Sequence, residues 1–72
     1  MIRKRSVTIR GHRTSISLED EFWQALKAIA TARGISLAAL IADIDENRRP
    51  DANLSSAMRL CVLDWLRSGN TL

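Results

Sequence analysis

Residues 12–23, HRTSISLEDEFW, decide how this chain is built. From residue 13 to 18 the pattern alternates, with Thr14, Ile16 and Leu18 on one face and Arg13, Ser15 and Ser17 on the other, the two-residue period of a half-buried strand. At LEDEFW the period changes. Phe22, Ala25, Leu26, Ile29 and Ala30 stand at the offsets 0, 3, 4, 7 and 8 of one helical face. Glu19, Asp20 and Glu21 occupy its first turn, where carboxylates meet the positive end of the helix dipole. A strand therefore runs directly into a helix, and a lone strand cannot satisfy its own backbone hydrogen bonds.

Downstream, Gly34 stops the first helix near residue 33. Ser36 is a good N-cap for a second, short helix carrying Leu37, Leu40, Ile41 and Ile44 on one side. The polar run DENRRPDAN holds the only proline and breaks that helix near residue 47. Asn53 caps a third helix, LSSAMRLCVLDWLR, with Leu54, Met58, Cys61, Val62 and Trp65 in one stripe, widened by Leu60, Leu63 and Leu66. A helix this apolar around its girth wants burial on more than one side.

No second convincing strand lies in residues 19–72, so the expected fold is mainly α with one short strand. That strand pairs antiparallel with its copy in a second chain across a two-fold axis. A competing arrangement stays open. Val7 and Ile9 also alternate, but with odd parity where Thr14, Ile16 and Leu18 have even parity. Gly11 is then a bulge in one long strand, or the turn of an internal hairpin pairing residues 6–10 with 13–17.

Length points the same way as the unpaired strand. A chain of 72 residues is one domain at most and buries only about 60% of its unfolded surface. One cysteine excludes an internal disulfide, and one histidine with no second ligand at a useful spacing gives no metal site. Oligomerisation is the remaining stabiliser. No apolar run approaches the ~20 residues of a membrane span and the N-terminus has no apolar signal core, which predicts a soluble, cytoplasmic protein without a membrane partner.

The net charge of +3 is unevenly spread. Arg3, Lys4, Arg5, Arg10 and Arg13 give residues 1–13 a charge of +5 with no acid, while the remainder carries −2. A basic arm on a mildly acidic body suits an anionic partner, nucleic acid ahead of membrane; a solvated terminus that aids solubility is the plainer alternative. Plain readings also suit Cys61 as a core thiol and Trp23 and Trp65 as core or interface anchors. Asp43, Asp45 and Glu46 read as a solvated helix end. No nucleophile with a base, phosphate-cradling loop or paired carboxylate set is present, so no enzyme and no cofactor is expected.

The run TSISLEDEFWQALKAIATARGISLAALIADI resembles the ribbon-helix-helix core of Arc/MetJ-type repressors, and the whole chain resembles a short bacterial ribbon-helix-helix group with an added C-terminal helix. The resemblance implies a basic arm over 1–12, a core over 13–47 and a loop and helix over 48–72 completing one domain. It also implies an intertwined homodimer whose ribbon enters the DNA major groove. Carried over residue by residue, Arg13, Ser15 and Ser17 fall where such proteins read base edges. The start of the second helix, Ser36 with the amides of Leu37 and Ala38, falls where the family anchors a phosphate; the charge of the basic arm fits the same picture, with Arg3, Lys4, Arg5 and Arg10 expected to neutralise backbone phosphates or reach into a groove beside the ribbon, and His12 expected as an exposed strand-end residue touching phosphate. The dimer core comprises Thr14, Ile16, Leu18, Phe22, Leu26, Ile29, Leu40, Ile41, Ile44 and Trp65. Three functional classes follow: a homodimeric repressor of transcription binding double-stranded DNA, an antitoxin-like or adaptor protein with a protein partner, and a structural dimerisation module.

Overall fold

The computed structural model describes all residues 1–72. Five elements follow one another: β1 (Ile2–Ile9), β2 (His12–Glu19), α1 (Asp20–Arg33), α2 (Leu37–Asn47) and α3 (Leu54–Arg67). The expectation of one short strand is corrected. β2 pairs antiparallel with β1 of the same chain, from Ile9 opposite His12 to Ile2 opposite Glu19, so the partner strand is internal and not a copy across a two-fold axis. The first twelve residues, expected as an arm, supply β1, the whole turn and the first residue of β2.

The physical reason lies at Arg10 and Gly11, with φ of 50° and 81°. Two consecutive left-handed residues make the tight primed turn whose twist matches that of a hairpin. In such a hairpin, residues face each other across an odd sum of numbers, so partners have opposite parity: Val7 faces Thr14 and Arg5 faces Ile16. The parity change between the two apolar sets is therefore what a two-residue hairpin requires. Arg10, costly at positive φ, is tied down by Nη2 bonds to a Glu46 carboxylate oxygen at 2.8 Å and to the Ala42 carbonyl at 3.3 Å.

The helices begin and end where their caps dictate. Glu19 enters α1 in extended conformation, and Gly34 leaves it at φ 70°, its amide bonding the Thr31 carbonyl while that of Ile35 reaches Ala30 at 3.0 Å. The chain bends by 100° between α1 and α2. Ser36 Oγ accepts from the Ala39 amide at 3.0 Å, and Asn53 Oδ1 from the Ser56 amide at 2.8 Å.

The hairpin forms one layer and the helices pack behind it: α1 and α3 against β2, α2 against β1. Twelve buried residues, all apolar, form one cluster to which every element contributes, from Ile9 through Ile16, Leu18, Leu26 and Leu40 to Met58 and Val62. Ile16, Leu18, Leu26, Ile29, Leu40, Ile41 and Ile44, expected in a dimer core, thus fill the interior of a single chain. Phe22 and Trp65 are half-buried against it, and Thr14 is exposed. No single helix is long and apolar enough to cross a membrane.

Candidate nucleic-acid interface

The register divides the hairpin into two faces. Arg3, Arg5, Val7 and Ile9 share the inner side with His12, Thr14, Ile16 and Leu18; Ile2, Lys4, Ser6 and Thr8 share the outer side with Arg13, Ser15, Ser17 and Glu19. On the outer face Lys4 lies opposite Ser17, Ser6 opposite Ser15 and Thr8 opposite Arg13, all six exposed. At ~3.3 Å per residue, the four steps from Lys4 to Thr8 span about 13 Å.

Five of the chain's cations were grouped by sequence as one basic stretch; three of them are neutralised by acids elsewhere in the fold. Arg5 Nη2 bonds Asp20 Oδ1 at 2.7 Å, and its guanidinium lies 4.5 Å from the centre of the Trp23 ring. Arg3 reaches the same carboxylate at 3.6 Å, and Arg10 is held by Glu46. Lys4 and Arg13 have no acidic partner, and both stand on the outer face. The unpaired positive charge of the N-terminal region is thus concentrated on a strip otherwise made of hydroxyls. His12, at the mouth of the turn, is exposed on the inner side opposite Ile9, beside Arg48 and Asp45.

Arg5, expected at a phosphate, braces the hairpin against α1 through Asp20, with its Nε buried and unpartnered. The signal was available, since Arg3 and Arg5 share the parity of Val7 and Ile9. A second brace went unnoticed. Arg59 of α3 donates from Nε and Nη2 to Glu19 Oε1 at 3.0 and 2.8 Å and lies 5.8 Å from the Phe22 ring. Glu19's carboxyl is held below the usual carboxylate range, first by a bond from its own backbone amide and then by Arg59.

The ribbon edges differ. The Ser17 amide donates to Ser55 Oγ of α3 at 3.3 Å, pointing away from β1. That marks Lys4 and Ser17 as a non-hydrogen-bonded pair, and by alternation Ser6–Ser15 and Thr8–Arg13 are the same. The start of α2 is a separate feature. Ser36 Oγ is engaged by Ala39, leaving the Leu37 and Ala38 amides as first-turn donors without a helical acceptor.

A two-stranded ribbon with a polar, cationic outer face, backed by helices, defines a class of small ribbon-and-helix domains. A family model described as ribbon-helix-helix domain matches residues 2–66, and the chain belongs to that family, whose members are in general non-enzymatic, DNA-binding regulators or antitoxins. The matched span takes in β1 and nearly all of α3, beyond the 13–47 core that the resemblance implied. No curated protein and no solved structure matches the chain.

Proposed function

We propose that the protein is a homodimeric transcriptional regulator, a repressor, that lays the outer face of its hairpin in the major groove of double-stranded DNA. The observation that carries this reading is the pairing pattern of the charges: Lys4 and Arg13 alone of the N-terminal cations lack an acid, on a strip of Ser6, Thr8, Ser15 and Ser17. The groove is about 12 Å wide and admits a two-stranded ribbon. Arg13 offers a bidentate fork to guanine O6 and N7, worth about 1–3 kcal/mol of discrimination. Ser15 and Ser17 donate or accept at base edges and discriminate less. Lys4 supplies a point charge for phosphate, and the Leu37 and Ala38 amides, at a positive helix end, suit a second phosphate.

Because each chain holds a complete ribbon, a dimer presents two. The long dimension of the chain, 32 Å, is comparable with the ~34 Å that separates half-sites one helical turn apart. The test is selection of a binding duplex from a random pool, followed by titrations over a salt series. Arg13→Ala is expected to lose about 1–3 kcal/mol on the selected duplex and little on a scrambled one. Lys4→Ala weakens both alike and lowers the salt slope by about one per chain. Duplex binding that ignores salt, or that both substitutions leave intact, overturns the reading. An antitoxin-like or adaptor role is the second reading, favoured by the leucines exposed on α3; co-purification of a different protein in fixed proportion is its test.

A further inference from the structure

α1 and α2 meet at a bend of 100°, α3 packs against both, and the three leave a groove of about 480 Å³ between α3 and the C-terminal halves of α1 and α2. That volume lies within the range of about 300–1,000 Å³ typical of small-molecule sites. The residues after α3 fold back along it: Trp65 Nε1 donates to the Thr71 carbonyl at 3.0 Å and Asn70 Nδ2 to the Trp65 carbonyl at 3.0 Å, which fixes the indole in the groove wall. Ile29 and Ile44 join Trp65 as apolar lining, and five charged side chains stand among them. Three of the five are already matched, since Arg33 lies 3.6 Å from Asp43 and Arg48 holds Asp45 at 2.8 Å. Arg49 and Asp64 are the other two. Both are exposed, and neither makes an ion pair or a side-chain hydrogen bond within the chain, with each other or with any other residue.

We infer that the groove is a binding site for an apolar α-amino acid: the Arg49 guanidinium donates to its carboxylate, its ammonium donates to the Asp64 carboxylate, and its side chain lies against Ile29, Ile44 and Trp65. One acid and one base share a groove wall without meeting, and a zwitterion is the ligand that satisfies both at once. Arg49 offers the planar fork that binds a carboxylate through two parallel bonds. A ligand with only one of the two charges leaves the opposite group facing its apolar body, and a desolvated charge without a partner costs affinity. An apolar monocarboxylate therefore strands Asp64, and an apolar amine strands Arg49. A phosphate or a dicarboxylate brings excess negative charge against Asp43 and Asp64, and the interior of a peptide carries neither backbone charge. The site lies on the helices and makes no use of the hairpin, so it stands apart from the DNA reading.

The test is titration of the full chain with L-phenylalanine and L-leucine, followed by calorimetry and by the NMR signal of the Trp65 indole N–H, with the indole of Trp23, which lies against Arg5, as the control. At least one of the two amino acids is expected to bind with a dissociation constant between about 10 µM and 1 mM, moving the Trp65 signal and leaving that of Trp23 still. The analogues that lack the ammonium (3-phenylpropanoate, 4-methylpentanoate) or the carboxylate (2-phenylethylamine, 3-methylbutylamine) bind at least about tenfold more weakly than their parent. Arg49→Gln weakens the amino acid and the carboxylate analogue about tenfold and leaves the amine unchanged; Asp64→Asn weakens the amino acid and the amine and leaves the carboxylate analogue unchanged. Both side chains are exposed and unbonded within the chain, so the variants keep the wild-type circular dichroism. No saturable shift from either amino acid up to about 10 mM overturns the inference. So do analogues that bind as tightly as their parents, the mark of an apolar cleft without charge recognition, and so does binding that moves Trp23 in place of Trp65 or that both substitutions leave intact.

Discussion

Gly11 sits at φ 81° with nothing within 4 Å of where a Cβ would project, so a β-carbon added there meets no clash and is opposed by the backbone conformation. Gly11→Val is expected to cost about 1–2 kcal/mol, a fall of roughly 4–8 °C in thermal midpoint per kcal/mol for a domain of this size, measured by calorimetry. An unchanged midpoint would mean that the turn is not held as described. Arg10, one residue earlier, accepts a positive φ of 50° because its side chain finds Glu46 and the Ala42 carbonyl on α2. Cys61 is half-buried, and burial pushes its thiol above the ordinary value, so at neutral pH it stays protonated and acts as an apolar packing group.

At the scale of elements, the open half of the hairpin is fastened to the helices by ion pairs from both of its strands. Arg5 grips Asp20 at the start of α1, and Arg59 of α3 grips Glu19 at the end of β2. Glu19 has a lowered folded pKa, so the stabilisation it provides is complete above the ordinary carboxylate value of 4.5 and disappears as pH falls through the lower folded value. Acid titration of the thermal midpoint is expected to show this loss in the wild type and a shallower one in Glu19→Gln. Parallel acid profiles in the two proteins would remove Glu19 from the account. The same fastening explains why the outer strip is sparse in charge: the arginines on the inner face are spent on structure, which leaves Lys4 and Arg13 to meet an anion.

For the whole molecule, α3 is part of the core and not an appendage. Met58 has no exposed surface and lies in the same cluster as Leu18, Leu26 and Leu40. Met58→Ala is expected to cost about 2–5 kcal/mol and to lower a single cooperative transition. Two separate transitions, only one of them shifted, would show α3 to be an independent brace. With an internal ribbon and a shared interior, the chain does not need a copy to satisfy its backbone.

Much of this was written locally. The two-residue period over 13–18, the shift of period at Leu18–Phe22, Gly34, and the Ser36 and Asn53 caps predict α1, α2 and α3 close to their observed bounds, because each depends on residues within a turn or two of one another. For the hairpin region the sequence favours one strand paired with its copy and keeps a bulge or an internal turn at Gly11 as the competitor, since the parity of Val7 and Ile9 suits either until the positive φ of Arg10 and Gly11 selects the turn. The tertiary structure alone decided which charges remain available. Arg5 and Asp20 are 15 residues apart, Arg10 and Glu46 36, and Arg59 and Glu19 40. Ion pairs over such separations are set by how the packed elements meet in space, so a basic stretch read as one cationic arm becomes a brace in which Arg3 and Arg5 share Asp20, a turn anchor at Arg10 and a strip bearing two free cations.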